Sequence, residues 1–444
     1  MFNPPGVLLW VTMGGGKSKI AVDLIMNNDV ISKVLIVCPK SVIAVWPYQF
    51  NTHAKNNDYD IFIETKGTIQ SRMINLQKFL KLAEARGHKA VVVMNYEAVW
   101  REGAAKAIKS VGFDCCICDE SSKIKSHNSK TSRFLGKLAD TVPYRLCLTG
   151  TPMSNSPLDV FGQFRFIDKG LYPATFTAFR NRYAILGGPD KNWVFGTKNE
   201  DELRDKMFKL TFKAGKDVLD LPDAVHVERF MDLCPKAQKV YDEMEKEFYA
   251  QVGEGEITIT NALTKLLRLQ QLTGGWLKLD DESEPVRLDK GKQEVLAEVI
   301  EDLGNEPVVV FCKFTKDLAV VREVADKLNQ HKKGSAEWRA TYSELSGHEN
   351  DLAVWQDGHT QVLGVQIQAG GMGIDLTRAS KCVYYSVGYS LGDYEQSLAR
   401  THRPGQLENV TYIHIKARNT VDIKVYKALD GKHKVIQKIV EGEI

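Results

Sequence analysis

"VLLWVTMGGGKSKIAVDLIMNN" occupies residues 7–28. Residues 7–11 form an unbroken apolar run, the mark of a strand covered on both faces rather than one. Gly14, Gly15 and Gly16 follow, and then a stretch with Ile20, Ala21, Leu24 and Ile25 at helical spacing. Strand, glycine turn and helix in that order open an α/β unit. Glycines let successive backbone N–H groups converge on an anion, and the start of a helix adds partial positive charge. Lys17 and Ser18 then stand where a phosphate-binding loop places its lysine and its magnesium-ligating hydroxyl. The strict spacing of such a loop asks for glycine at position 11, where the chain has Val11. Taken alone, the stretch leaves an ordinary glycine turn open.

The strand–helix alternation continues outward from it. Residues 33–38, 90–94, 114–118 and 145–148 read as buried strands, and a second series lies at 308–312, 362–365, 382–385 and 411–415. Residues 316–330 between them carry Leu318, Val321, Val324 and Leu328 on one helical stripe. Such alternation predicts two parallel sheets with helices on both faces. From 166 to 290 the chain is richer in helix formers, with "PKAQKVYDEMEKEFYAQV" and "NALTKLLRLQQL" the clearest helices and "GGPDKNW" and "LDDESEP" as surface loops.

The chain's 444 residues exceed one ordinary core, and 43% hydrophobic with 26% charged residues is ordinary for a globular protein. No apolar run reaches the length of a membrane span, and the first residues lack a basic leader with a cleavage site, so a cytoplasmic location is expected. Lys and Arg number 59 against 56 Asp and Glu, a net +3 that neither demands nor excludes nucleic acid and would not reveal a local basic stripe. Most of the eight cysteines sit in strand-like apolar runs. Cys115 and Cys118 have C-x-x-C spacing, but no second pair or histidine cluster completes a zinc site, so reduced core thiols are expected.

"FDCCICDESS", residues 113–122, ends a buried strand in Asp119-Glu120. Two carboxylates at a strand tip are costly unless a cation shares their surroundings. With Mg²⁺ nearby, Asp119 would hold the metal and Glu120 would orient and deprotonate an attacking water. A solvated turn is the plain alternative. "DYEQSLARTHRPGQ", residues 393–406, adds Arg400 and Arg403, three apart, with Pro404 placing the second at a helix end. Two solvated charges is again the plain reading. With the glycine loop and the acid pair, the arginines instead read as groups that stabilise charge growing on a γ-phosphate, on a nucleotide held between two domains.

The ordered series resembles the superfamily-two helicase-like ATPases of the DEAD/DEAH kind, and specifically the Swi/Snf-type DNA translocases. "MGGGKS", "VLIVCPKSVIAVWPYQF", "DESSKIKS", "LTGTPMSNS", "FKAGKDVLDLP", "LTKLLRLQQL", "VVVFCKFTKDL", "AGGMGIDL" and "QSLARTHRPGQ" are similar to that family's successive blocks. The resemblance implies an α/β fold of two RecA-like parallel-sheet lobes, residues 1–165 and 291–444, joined by a helical Swi/Snf-type region over 166–290. It implies ATP and Mg²⁺ bound by Gly14, Gly15, Gly16, Lys17 and Ser18, with Asp119 and Glu120 as the metal and water-activating acids. Gln396, Arg400 and Arg403 would read the γ-phosphate, and Asp375 the ribose. Thr149 and Thr151 would couple the acid box to the DNA side, with Ser41, Tyr96 and Lys123 as phosphate-backbone contacts.

Three departures stand out. The adenine-reading glutamine block usual upstream of the loop is not in the chain. Ser121-Ser122 replace the usual Ala-His, and Gln366 and Ile367 stand where hydroxyl residues are common. The compact build resembles phage or bacterial members. The expected activity is a monomeric, ATP-driven translocase on duplex DNA, in the host cytoplasm if phage-encoded, touching mainly the backbone. Alternatives are a strand-separating DNA or RNA helicase, a nucleic-acid sensor with a decayed ATPase, and the motor subunit of a restriction or defence complex.

Overall fold

The computed structural model describes residues 6–63, 66–188, 193–246, 249–252, 255–258, 262–279, 284–331, 340–368 and 374–441. The chain separates into two units. The first runs to Leu219 and takes in the described residues from Lys432 onward, and the second covers the described residues from Asp220 to Gly431.

The first unit is built on strands β1 (Gly6–Val11), β2 (Lys33–Cys38), β3 (Tyr59–Ile63), β4 (Lys89–Asn95), β5 (Cys115–Asp119) and β6 (Tyr144–Thr149). An antiparallel hairpin of β7 (Ala184–Gly187) and β8 (Trp193–Thr197) stands apart, and β9 (Thr211–Ala214) returns to the sheet. The order is β3-β4-β2-β5-β6-β1-β9, parallel throughout. Alternate residues go to opposite faces. Leu35, Val37, Cys116, Cys118 and Cys147 enter one buried cluster, and Val34, Ile36, Cys115, Ile117, Leu146 and Leu148 the other. A strand with both sides in a core has no polar face to show, which is why these segments are continuous apolar runs. Each fully buried Val, Leu or Ile contributes about 1.5–3 kcal/mol of transfer free energy.

The second unit opens with β10 (Ala224–Met231), followed by two small hairpins, β11 (Tyr249–Val252) with β12 (Gly255–Thr258) and β13 (Trp276–Leu277) with β14 (Val286–Arg287). Its main strands are β15 (Val308–Cys312), β16 (Tyr342–Leu345), β17 (Val362–Gln366), β18 (Lys381–Tyr384) and β19 (Val410–Ala417). They form a parallel sheet in the order β10-β19-β18-β15-β17-β16. The helix expected over 316–330 is Thr315–His331. A buried ion pair, Lys292 Nζ to Asp422 Oδ2 at 2.6 Å, ties two helices of this unit, with Thr273 Oγ1 donating to the other carboxylate oxygen at 3.0 Å.

The region expected to be helical over 166–290 is divided between the units and is mixed. It contains the helices Pro235–Lys246 and Ala262–Thr273, but also supplies β9 to the first sheet and β10 to the second. Both are sheet-edge strands with exposed positions, so neither shows as an apolar run. The segment "PKAQKVYDEMEKEFYAQV" is helical only to Lys246, with Tyr249–Val252 extended. The loop readings at "GGPDKNW" and "LDDESEP", and "AGGMGIDL" as far as residue 373, fall wholly or partly outside the described residues. No helix among the described residues is long and apolar enough to cross a membrane. All cysteines are free; seven are buried and Cys234 is exposed. Burial pushes the Cys115 and Cys118 thiols well above their ordinary value, which fits core thiols rather than metal ligands.

Candidate nucleotide site

Strands β5, β6 and β1 are neighbours in a parallel sheet, so the segments leaving their carboxyl ends emerge along one edge. Those segments are the acid box, the threonine box and the glycine turn. Ligands of open parallel sheets collect at that edge. The register sets the three level with one another, pairing Trp10 with Thr149 and Asp119 with Leu148. The Trp10 indole donates to the Gly150 carbonyl at 3.0 Å, fastening the start of the glycine turn to the threonine box.

Each glycine of the turn has a physical reason. Gly14 and Gly16 lie at φ 78° and 84°, in the left-handed region that side chains disfavour. A Cβ on Gly15 would sit 2.6 Å from Val11 Cγ1 and 3.1 Å from the Thr12 carbonyl oxygen. Valine at position 11 is thus packed directly under the turn. Gly16 caps the helix Lys17–Met26, whose first N–H groups receive no side-chain cap. The Lys17 ammonium donates to the Val11 and Thr12 carbonyls at 2.9 and 3.1 Å, so it folds over the loop rather than out into water. Ser18 is in the first turn and half-buried.

Asp119 is 8% exposed at the tip of β5, and burial pushes its carboxyl up to about 6. The Lys17 charge opposes that rise, as does the Trp46 indole, which donates to Oδ2 at 3.2 Å. Glycine turn and acid box therefore share one electrostatic neighbourhood. Glu120 is buried at φ 53°, a left-handed conformation that costs energy in a residue with a side chain. No group of three or more His, Cys, Asp or Glu that could hold a metal occurs among the described residues. An ion here would need phosphate oxygens to complete its shell, which fits a Mg²⁺ that arrives with a nucleotide and meets only Ser18 and Asp119.

Thr149 is fully buried, and its Oγ1 accepts from the Thr151 amide at 3.1 Å. The buried Thr151 Oγ1 has no hydrogen-bond partner among the described residues. Ser41 and Lys123 are exposed. Tyr96 is not: it is 4% exposed, and its hydroxyl donates to the Asp119 carbonyl at 2.7 Å. It braces the acid box from inside the core.

In the second unit, Arg400 is 6% exposed near the end of the helix Leu391–Thr401, and its carbonyl accepts from the Leu376 amide at 3.1 Å. The helix stops at Thr401, so Arg403 lies just beyond it, as Pro404 requires. Its guanidinium donates to the Ile374 carbonyl at 3.1 Å, next to exposed Asp375. Gln396 is half-buried one turn before Arg400. The structure thus gathers Asp375, Arg400 and Arg403 along one seam of that unit.

Three structural roles escape a reading by motif, among them that of Tyr96, which the resemblance placed with the phosphate-backbone contacts. Trp46 and Tyr96 serve the acid box through long-range hydrogen bonds that spacing does not encode. Gln163, fully buried in the helix Val160–Ile167, is a polar residue in an apolar run, and that mismatch is the one legible signal.

Two parallel sheets with their helices, one bearing a glycine turn, a lysine and an acid pair along its carboxyl edge, place the chain among α/β proteins built of two such units. The sequence matches the SNF2-related domain over residues 5–274 and the helicase conserved C-terminal domain over residues 291–405. The chain belongs to the SNF2-related family and is an ATP hydrolase. It is 25% identical to the putative protein p41 of Acyrthosiphon pisum secondary endosymbiont phage 1, over 98% of this chain and 94% of that one. It is 23% identical to an uncharacterized ATP-dependent helicase of Mycoplasma pneumoniae, over 100% of this chain and 41% of the relative. The Chromodomain-helicase-DNA-binding protein 1-like of Danio rerio is also 23% identical, over 99% of this chain and 42% of its own. The chain thus spans nearly all of the phage protein but well under half of the other two. The Sulfolobus solfataricus SWI2/SNF2 ATPase core in complex with dsDNA aligns at 20% identity over 98% of this chain and 89% of that one, with a TM-score of 0.42.

Proposed function

We propose that the chain is a DNA-stimulated ATPase that moves along duplex DNA without separating its strands. The observation that carries the reading is Asp119, buried at the tip of β5, on the carboxyl edge that also bears the glycine turn and Lys17 after β1. A carboxylate and an ammonium brought together at the carboxyl edge of a parallel sheet are suited to a Mg²⁺–triphosphate.

The glycine turn offers N–H groups to the phosphates, Lys17 neutralises the β- and γ-oxygens, and Ser18 with Asp119 would hold the metal. When bound, the ion would polarise the γ-phosphate and spread its charge. Glu120 orients and deprotonates the attacking water. Gln396, Arg400, Arg403 and Asp375 take the γ-phosphate and ribose roles that the family resemblance implies for them.

Nucleic-acid contact is supported by a feature that net charge conceals. Lys123 is exposed just after the acid box, and Lys130, Arg133 and Lys137 are exposed on the helix Lys130–Leu138 while Phe134, Leu135 and Leu138 face the core. That outward basic face suits a phosphate backbone. Thr149 and Thr151, in the loop leaving β6 beside the acid box, take the role of coupling hydrolysis to the DNA side.

The test is ATP turnover against double-stranded DNA, single-stranded DNA and RNA, with strand displacement from a forked duplex. Duplex DNA is expected to stimulate most, with steep loss at high salt and no displacement. Turnover indifferent to every nucleic acid overturns the reading, and robust displacement replaces it with a strand-separating helicase.

A further inference from the structure

Ser121 follows the acid pair and is fully buried. Its hydroxyl donates to Gln163 Oε1 at 2.8 Å. The Gln163 amide nitrogen donates in turn to the Pro152 carbonyl at 2.7 Å and the Asp159 carbonyl at 3.1 Å. Both amide hydrogens are thereby used on carbonyls, which leaves the amide oxygen only the role of acceptor and fixes its orientation. One side chain therefore links the residue after Glu120 to the residue that closes the Leu-Thr-Gly-Thr-Pro box.

The surroundings make this link costly to build for packing alone. Gln163 is fully buried on a helix whose Phe161 and Phe164 belong to an apolar cluster, and a buried amide is tolerated only with its hydrogen bonds complete. Leucine would fill the same space without that requirement. The helix is also pressed onto the turn it holds, since a Cβ on Gly162 would come within 2.1 Å of the Ile124 carbonyl oxygen. That turn begins at Glu120, whose left-handed backbone persists only if its neighbours enforce it.

We propose that Ser121, Gln163 and Pro152 form a positioning bridge. It holds Glu120 in its left-handed turn and transmits the position of the threonine box to the acid box, so that DNA engagement alters the rate of hydrolysis. Gln163 is a positioning residue, acting through Glu120 and Thr151 and not on the nucleotide. The proposal rests on the reading of Glu120 as the water-activating acid.

The experiment uses the full chain and compares Ser121→Ala, Gln163→Leu and the double variant. Measured are kcat with and without duplex DNA, KM for ATP, nucleotide affinity and melting temperature. Each single variant is expected to lower DNA-stimulated kcat roughly tenfold, with KM and nucleotide affinity within about twofold of the parent, and the double variant is expected to be no slower than the worse single. Ser121→Ala removes one hydroxyl, so it keeps the test open should Gln163→Leu fail to fold. Unchanged kcat and unchanged DNA stimulation in Ser121→Ala overturn the bridge, as does a loss that multiplies in the double variant. Glu120→Gln, run alongside, separates the two claims. If it still hydrolyses ATP at the parent rate the Glu120 reading has failed, whereas its inactivity beside a fully active Ser121→Ala refutes the bridge alone.

Discussion

Lys17 and Asp119 show how a single charge pair can define a site. Burial drives the Asp119 carboxyl up to about 6, and the nearby ammonium is the chief force pulling the other way. The proposed function gives this pair a ligand that brings both negative charge and a cation. Lys17→Ala is expected to abolish nucleotide binding or turnover, read by fluorescent-nucleotide titration. Glu120→Gln keeps the shape of the turn and removes the base, so binding should persist while turnover drops by about 10²–10⁴-fold. Arg403→Ala should slow turnover by roughly a thousandfold or more with nucleotide affinity kept, if the guanidinium offsets charge in the transition state. A near-parental rate in that variant would remove Arg403 from the chemistry. The glycine turn before its helix and the acid pair at a strand tip were legible in the sequence because each is a local structure. The hydrogen bonds of Trp46, Tyr96 and Gln163 were not, because each reaches its partner across the sheet or from another helix.

At the scale of elements, the helix Val160–Ile167 packs directly on the turn that follows the acid pair. Gly162→Ala would drive a methyl into the backbone of the turn at Ile124, where no flexible side chain can yield. We expect a loss of about 1–3 kcal/mol in denaturant unfolding, the usual cost of overpacking a close contact, accompanied by slower hydrolysis. A variant as stable and as fast as the parent would show that this helix is not a constraint on the site. The central strands announced themselves because both their faces are buried, so β2, β4, β5 and β6 in the first sheet and β15, β17, β18 and β19 in the second coincide with apolar runs. Strands β9 and β10 did not, because an edge strand with exposed positions has the composition of a loop. The same limit explains why residues 166–290 read as a helical linker.

Over the whole molecule, the second unit carries a buried histidine that makes stability depend on pH. His414 is pushed down to about 3, first by burial and then by the neighbouring His226 and Lys416. It accepts or donates through its two nitrogens with His226 at 3.0 Å and the Tyr426 hydroxyl at 3.0 Å. The folded protein keeps this ring neutral while the unfolded chain protonates it below about 6.5, so stability is whole above that value and declines as pH falls toward 3. The urea midpoint is expected to fall between pH 7 and pH 5, and to fall less in His414→Gln. Equal slopes in the two proteins would dismiss His414 as the source.

The sequence by itself determined the two parallel sheets, the glycine cradle with its lysine and acid pair, and membership of a helicase-like class, because each of these is written in neighbouring residues or in a strand's own two-sided burial. Only the tertiary structure decided that Lys17 and Asp119 share one neighbourhood, that Tyr96 braces the acid box, that the middle of the chain is divided between two sheets, and that Gln163 joins two loops. Those facts depend on which strands lie side by side and on hydrogen bonds between residues far apart in the chain, and a linear pattern holds no record of either.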